Sequence, residues 1–151
     1  MKLTRRDALA LTAGAAVFAA IGVRAGTARA GTEETQKAID AFTGGAAPQS
    51  GRITLTAPEI AENGNTVPVS VSIESPMTDA DYVASVIILA EGNPNPNVAT
   101  LHFTPMNGTA EATTRMRLAK TQNVIAIARM SDGSVFMDKK EVKVTIGGCG
   151  G

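Results

Sequence analysis

From Gly51 onward, apolar and polar positions alternate with a period of two through most of the chain. Val67, Val69, Val71 and Ile73 alternate with Pro68, Ser70, Ser72 and Glu74, the pattern of a strand with one face on a core. Pro68 lacks a backbone N–H, which places it at a sheet edge or where the sheet opens. Ile53 and Leu55 alternate with Arg52 and Thr54 in the same way. Ala110, Ala112, Thr114, Met116 and Leu118 share one side, with Glu111, Thr113, Arg115 and Arg117 opposite. Val142, Val144 and Ile146 alternate with Glu141, Lys143 and Thr145. Two runs break the alternation: Val83 to Ala90 and Val124 to Ala128 are apolar on both faces, so they read as central strands or as strands buried against a partner. The candidate partner-facing segments are Ser85 to Ala90 and Val124 to Ala128.

Before Gly51 the period is helical. Ala38, Ile39 and Phe42 share one face, Thr32 is placed to cap, Glu33 and Glu34 suit the positive N-terminal end, and Gly44-Gly45 stops the helix. Pro105-Met106-Asn107-Gly108 is a turn between a strand at Val98 to Thr104 and one at Thr109 to Leu118. Asp132-Gly133 signals a hairpin into a strand from Val135 to Ile146, and Gly92 to Asn97 is a Pro/Asn loop. Seven or so short strands separated by turns predict an all-β fold, an immunoglobulin-like antiparallel β-sandwich with a short N-terminal helix.

The first 30 residues do not belong to that fold. Arg5-Arg6 precede an apolar, small-residue run from Ala8 to Val23, and Ala28-Arg29-Ala30 fits an A-x-A cleavage site. The run falls short of the ~20 apolar residues of a spanning helix, so residues 1–30 are expected to be a cleaved twin-arginine signal. That implies export of a folded domain to the periplasm, with no membrane attachment after cleavage. The signal takes five of the 14 basic and one of the 14 acidic residues, leaving nine against 13, a net charge of −4. A mildly acidic domain without a basic cluster is poorly suited to nucleic acid.

The chain has one cysteine, so no internal disulfide can form. Cys149 stands in Gly147-Gly148-Cys149-Gly150-Gly151. Lone cysteines are commonly buried, but four glycines bring no side chains to a core and lose the most entropy on ordering. Residues 31–146 are therefore expected to form the sandwich. Residues 147–151 are expected to form a flexible, glycine-rich, substrate-carrying arm, with Gly147, Gly148, Gly150 and Gly151 giving it flexibility. With Ile146 as the last anchored residue, three extended residues reach ~10 Å. No His, Lys, Arg or helix end lies within the pentapeptide to lower the thiol pKa, so at the reference value of about 8.5 only a few per cent is thiolate at neutral pH. Activation is expected from a receiving protein, and the arm is not itself a catalytic site.

A twin-arginine signal, a small β-rich domain and a terminal Gly-Gly-Cys-Gly-Gly closely resemble the SoxY family, the sulfur carriers of periplasmic thiosulfate oxidation. The resemblance spans the chain. It implies that Cys149 is the covalent attachment site for sulfur intermediates and that the protein is a non-catalytic carrier without cofactor or metal. It further implies a heterodimer with a SoxZ-type immunoglobulin-like subunit. Transient partners implied in the same way are a c-type cytochrome complex, a dimanganese hydrolase releasing sulfate, and a molybdenum-haem sulfur dehydrogenase.

Other readings compete with it. A periplasmic copper or electron-transfer sandwich is the alternative, but a blue-copper site needs two histidines, and this chain offers His102 with Met106 as the nearest sulfur partner. A ubiquitin-like carrier ending in Gly150-Gly151 would load its carboxylate instead. A structural thiol would serve only intermolecular disulfides.

Overall fold

The computed structural model describes residues 30–147. Residues 1–29, to which most of the expected signal belongs, and residues 148–151 lie outside them.

Among the described residues one α-helix, α1 (Ala30–Thr43), is followed by eight strands: β1 (Ile53–Thr56), β2 (Ile60–Asn63), β3 (Val67–Ile73), β4 (Val83–Ala90), β5 (Asn97–His102), β6 (Ala110–Met116), β7 (Gln122–Met130) and β8 (Val135–Ile146). They form two sheets, ordered β1-β3-β6 and β2-β8-β7-β4-β5. Every pairing is antiparallel except β2 with β8. This is the expected sandwich, with the short helix laid on its outside.

The alternating strands behave as their patterns dictate. Along β3 the odd positions Val67, Val69, Val71 and Ile73 are buried, and they meet Leu55, Val86, Ile88, Met116 and Leu118 in the core between the sheets. β4 and β7 are buried on both faces for a reason internal to the chain. Val86, Ile88, Ala126 and Ala128 point into the sandwich, while Ile87, Leu89, Ile125 and Ile127 pack under Ala38, Ile39 and Phe42 of α1. The other sheet covers the inner face of these strands and the helix their outer face, so of the two readings the sandwich core holds for Ser85 to Ala90 and Val124 to Ala128, and the partner-facing one is corrected. Arg129 lies 5.2 Å from the centre of the Phe42 ring and fastens the end of α1 to the sheet.

Several sequence expectations change in detail. The helix starts at Ala30, so Thr32 lies inside its first turn rather than capping it, and the Thr35 hydroxyl donates back to the Gly31 carbonyl at 2.7 Å. Pro68 sits in the central strand of its sheet. However, β1 reaches only Ser70, so the sheet does open at the proline. β2 carries a single buried side chain, Ala61, too little periodicity to read. Its place comes from pairing with β8, Ala61 opposite Val144. The turn at Pro105–Asn107 is a short 3-10 helix that carries the chain from one sheet to the other rather than closing a hairpin. Ile146 does not continue the inward series of Val142; it is 68 % exposed because β8 outruns the core there.

Gly44 and Gly45, at φ 64° and 86°, end the helix, and Gly133, at φ 86°, closes the β7–β8 hairpin, conformations that favour glycine. In that hairpin the Asp132 carboxylate accepts from the Ser134 amide at 2.8 Å and hydroxyl at 2.6 Å, and these two donors hold its pKa below the ordinary carboxylate range.

Two measurements check this architecture. Ile127→Ala is expected to lower the unfolding free energy by roughly 2–5 kcal/mol in urea titrations, whereas Thr54→Ala on the exposed face of β1 is expected to change it by about 0.5 kcal/mol or less. Ser134→Ala removes the larger of the two contributions at Asp132 and is expected to raise that carboxyl's pKa in an NMR titration. In the parent protein the Asp132 contribution is present above the unfolded-state pKa and is lost as pH falls through the depressed folded value.

Candidate functional site: the end of the last strand

β8 carries the chain toward the terminal pentapeptide, and its last residues are held from two sides. On the β2 side, the Glu59 carbonyl accepts from the Lys143 amide at 2.9 Å, the Glu62 carbonyl accepts from the Thr145 hydroxyl at 2.8 Å, and the Gly64 amide donates to the Ile146 carbonyl at 2.8 Å. On the other side, the Thr121 hydroxyl accepts from the Val144 amide at 2.9 Å. The segment between β6 and β7, residues 117–121, therefore grips the end of β8 while crossing between the sheets. Leu118, fully buried, roots that segment in the core.

Gly147 is the one member of the pentapeptide among the described residues. It is exposed, yet a Cβ at this position would overlap the Ala119 carbonyl oxygen. The demand there is for space, since Gly147 is not among the positive-φ glycines. Gly148, Cys149, Gly150 and Gly151 lie outside the described residues.

Around this exit the structure assembles a polar network that the sequence did not reveal. Asn93, in the loop after β4, accepts at Oδ1 from the Ala119 amide at 3.0 Å and from Gln122 Nε2 at 2.9 Å, and its Nδ2 donates to the Arg117 carbonyl at 2.7 Å. Gln122 is buried; its Oε1 accepts from the Gly92 amide at 2.7 Å and its Nε2 donates to the Lys120 carbonyl at 3.0 Å. Asn123 Nδ2 donates to Glu91 Oε2 at 2.7 Å. Beside the network lies an open groove of about 480 Å³, reached by Lys120 and by three carboxylates, Glu34, Glu91 and Glu141. That balance of charge does not favour holding a free oxyanion. The Gly92–Asn97 loop reads from the sequence only as a Pro/Asn turn. Asn93 gives no signal of its role because its partners lie 24 to 29 residues away.

His102 and Met106 sit elsewhere. His102 is opposite Ser85 near the start of β4, whereas the β8 exit lies beside Gln122 and the end of that strand. Met106 is 96 % exposed in the Pro105–Asn107 turn. Among the described residues no group of three or more His, Cys, Asp or Glu side chains could hold a metal ion.

Comparison with known proteins decides the family. The model of the SoxY sulfur oxidation protein matches residues 39–149, a span that includes Cys149. The chain belongs to the SoxY family. The solved sulfur carrier SoxY from Chlorobium limicola f thiosulfatophilum is 35 % identical, with a TM-score of 0.62, and the match covers 76 % of this chain and 98 % of that one. With SoxY membership comes the role of a sulfur carrier in sulfur oxidation. The fold is shared more widely. A superoxide reductase (neelaredoxin) from Ignicoccus hospitalis is 25 % identical with a TM-score of 0.55, covering 61 % of this chain and 78 % of that one. A putative superoxide reductase from Thermotoga maritima is 17 % identical with a TM-score of 0.52, covering 61 % and 84 %, and shows the sandwich alone. No curated protein matches this SoxY-family chain.

Gln122→Ala strips partners from the Gly92 amide and the Lys120 carbonyl in a half-buried setting. It is expected to cost about 1–3 kcal/mol, measured by denaturant unfolding, with amide exchange accelerating first in residues 91–93 and 117–121.

Proposed function

We propose that this protein carries sulfur intermediates covalently on Cys149 during periplasmic thiosulfate oxidation, paired with a SoxZ-type subunit and exported by the twin-arginine route. The observation that carries this reading is the family match running through Cys149, together with the last strand, β8, which ends at Ile146 and is followed by an exposed Gly147.

The chemistry follows from the thiol. Loading joins the Cys149 sulfur to the sulfane sulfur of thiosulfate as an S–S bond; the thiol proton leaves and two electrons pass to the c-type cytochrome complex. Water then attacks the terminal sulfone, sulfate departs with release of protons, and a persulfide remains on Cys149. The dimanganese hydrolase supplies that step, and a molybdenum-haem dehydrogenase oxidises the remaining sulfane sulfur in organisms that possess one. Covalent attachment suits this domain on electrostatic grounds. A net charge of −4 after signal removal and a groove edged by three carboxylates give an anionic substrate little reason to stay, whereas an S–S bond retains it regardless of the surrounding field. Without a cation or helix end in the pentapeptide, Cys149 reacts slowly by itself and fast once a receiving enzyme supplies activation.

Intact mass spectrometry of protein from thiosulfate-grown cells tests the reading. Adducts of sulfur, sulfite or thiosulfate mass are expected, removed by reductant and mapped to the last peptide, and absent from Cys149→Ser. An adduct on the Gly151 carboxylate, or normal thiosulfate oxidation by cells whose only carrier is the Cys149→Ala protein, would refute it.

A further inference from the structure

Gly147, the described member of the terminal pentapeptide, has an environment built by residues far away in sequence. The Ala119 carbonyl occupies the space a Cβ at 147 would take. Ala119 in turn is held through its amide by Asn93 Oδ1 at 3.0 Å, and the carbonyl two residues earlier, that of Arg117, by Asn93 Nδ2 at 2.7 Å. Asn93 thus bridges both sides of Leu118, whose amide donates to the Gly64 carbonyl at 2.7 Å.

We infer that Ala119 forms a seat for Gly147 and that Asn93 is a positioning residue for the carrier arm, setting the point at which the chain leaves the domain. The inference rests on the proposed carrier role of Cys149. The pivot then lies at Gly147 rather than Ile146, and two residues of reach, ~7 Å, separate it from the cysteine. A tether this short cannot make up for a pivot that wanders. When an enzyme docks on the domain surface, displacement of the pivot by about 1 Å moves the sulfur out of reacting geometry, which can cost on the order of a hundredfold in rate. Gly147 serves a fit and the glycines beyond it serve a thin tether, so alanine is expected to act differently at adjacent positions.

The test compares Gly147→Ala, Gly148→Ala and Asn93→Ala in the full mature heterodimer. Two reactions are measured: thiosulfate loading by the cytochrome complex, and reaction of Cys149 with a small aromatic disulfide. Gly147→Ala and Asn93→Ala are expected to lower the kcat of loading by about tenfold or more while KM stays within about twofold, because the docking surface is kept and the pivot is not. Gly148→Ala is expected to lower kcat by less than about threefold, the scale of a single glycine's backbone freedom. The small disulfide, which needs no docked geometry, should react at parent rates with all three. Combining Asn93→Ala with Gly147→Ala should cost little more than either change alone, since both act through one seat. Amide exchange at Ala119 should rise in both variants, with β4 and β7 remaining protected as evidence of an intact sandwich.

Equal effects at positions 147 and 148, additive effects of the pair, or unchanged loading despite faster exchange at Ala119 would each overturn the inference. Undiminished loading of Cys149→Ser would instead overturn the carrier reading, and the exchange measurement would still report on the seat.

Discussion

The two-sided burial of β4 and β7 is the constraint on which the molecule depends. Their inner faces meet the three-stranded sheet and their outer faces meet α1, so the central pair of the five-stranded sheet is removed from water on both sides. Fully burying each valine, leucine or isoleucine contributes about 1.5–3 kcal/mol, and the pair supplies most of the largest buried side chains of that sheet. β8 gains a rigid neighbour in β7, with which it pairs from Val135 to Val142. Beyond Val142 the strand leaves that support and depends on β2 and on residues 117–121.

At that point the structure changes from apolar packing to hydrogen bonding. The segment between β6 and β7 has to cross from one sheet to the other and grip the end of β8 while doing so. Its carbonyls and amides would be left without partners in a half-buried crossing. Asn93 and Gln122 satisfy them, one through a carboxamide that both donates and accepts, the other from a position inside the fold. A network of satisfied amides resists deformation better than a solvated loop. The consequence is a defined exit for the chain at Gly147.

The pole's charges bear on how a sulfur carrier works. Lys120 is outnumbered by carboxylates at the groove, so this groove is poorly suited to holding an oxyanion. A carrier that held its cargo by electrostatics would lose it to salt and to competing anions. One that holds it through sulfur releases it only to chemistry performed on that bond.

The one-sided strands, the helix, its glycine stop, the Asp132-Gly133 hairpin and the sandwich itself were legible in the amino-acid sequence, because each depends on local periodicity or on a residue with restricted backbone geometry. The single cysteine and its glycine surroundings pointed to the family in the same local way. Tertiary structure alone decided what covers Val83 to Ala90 and Val124 to Ala128, since an apolar face has the same composition whether a helix of the same chain or another subunit lies on it. It alone placed β2, which has one buried residue and exists by pairing with β8, and it alone made Asn93 important, through partners on another loop. Periodicity records which side of a segment avoids water; it carries no record of which distant backbone groups will come to rest against that segment.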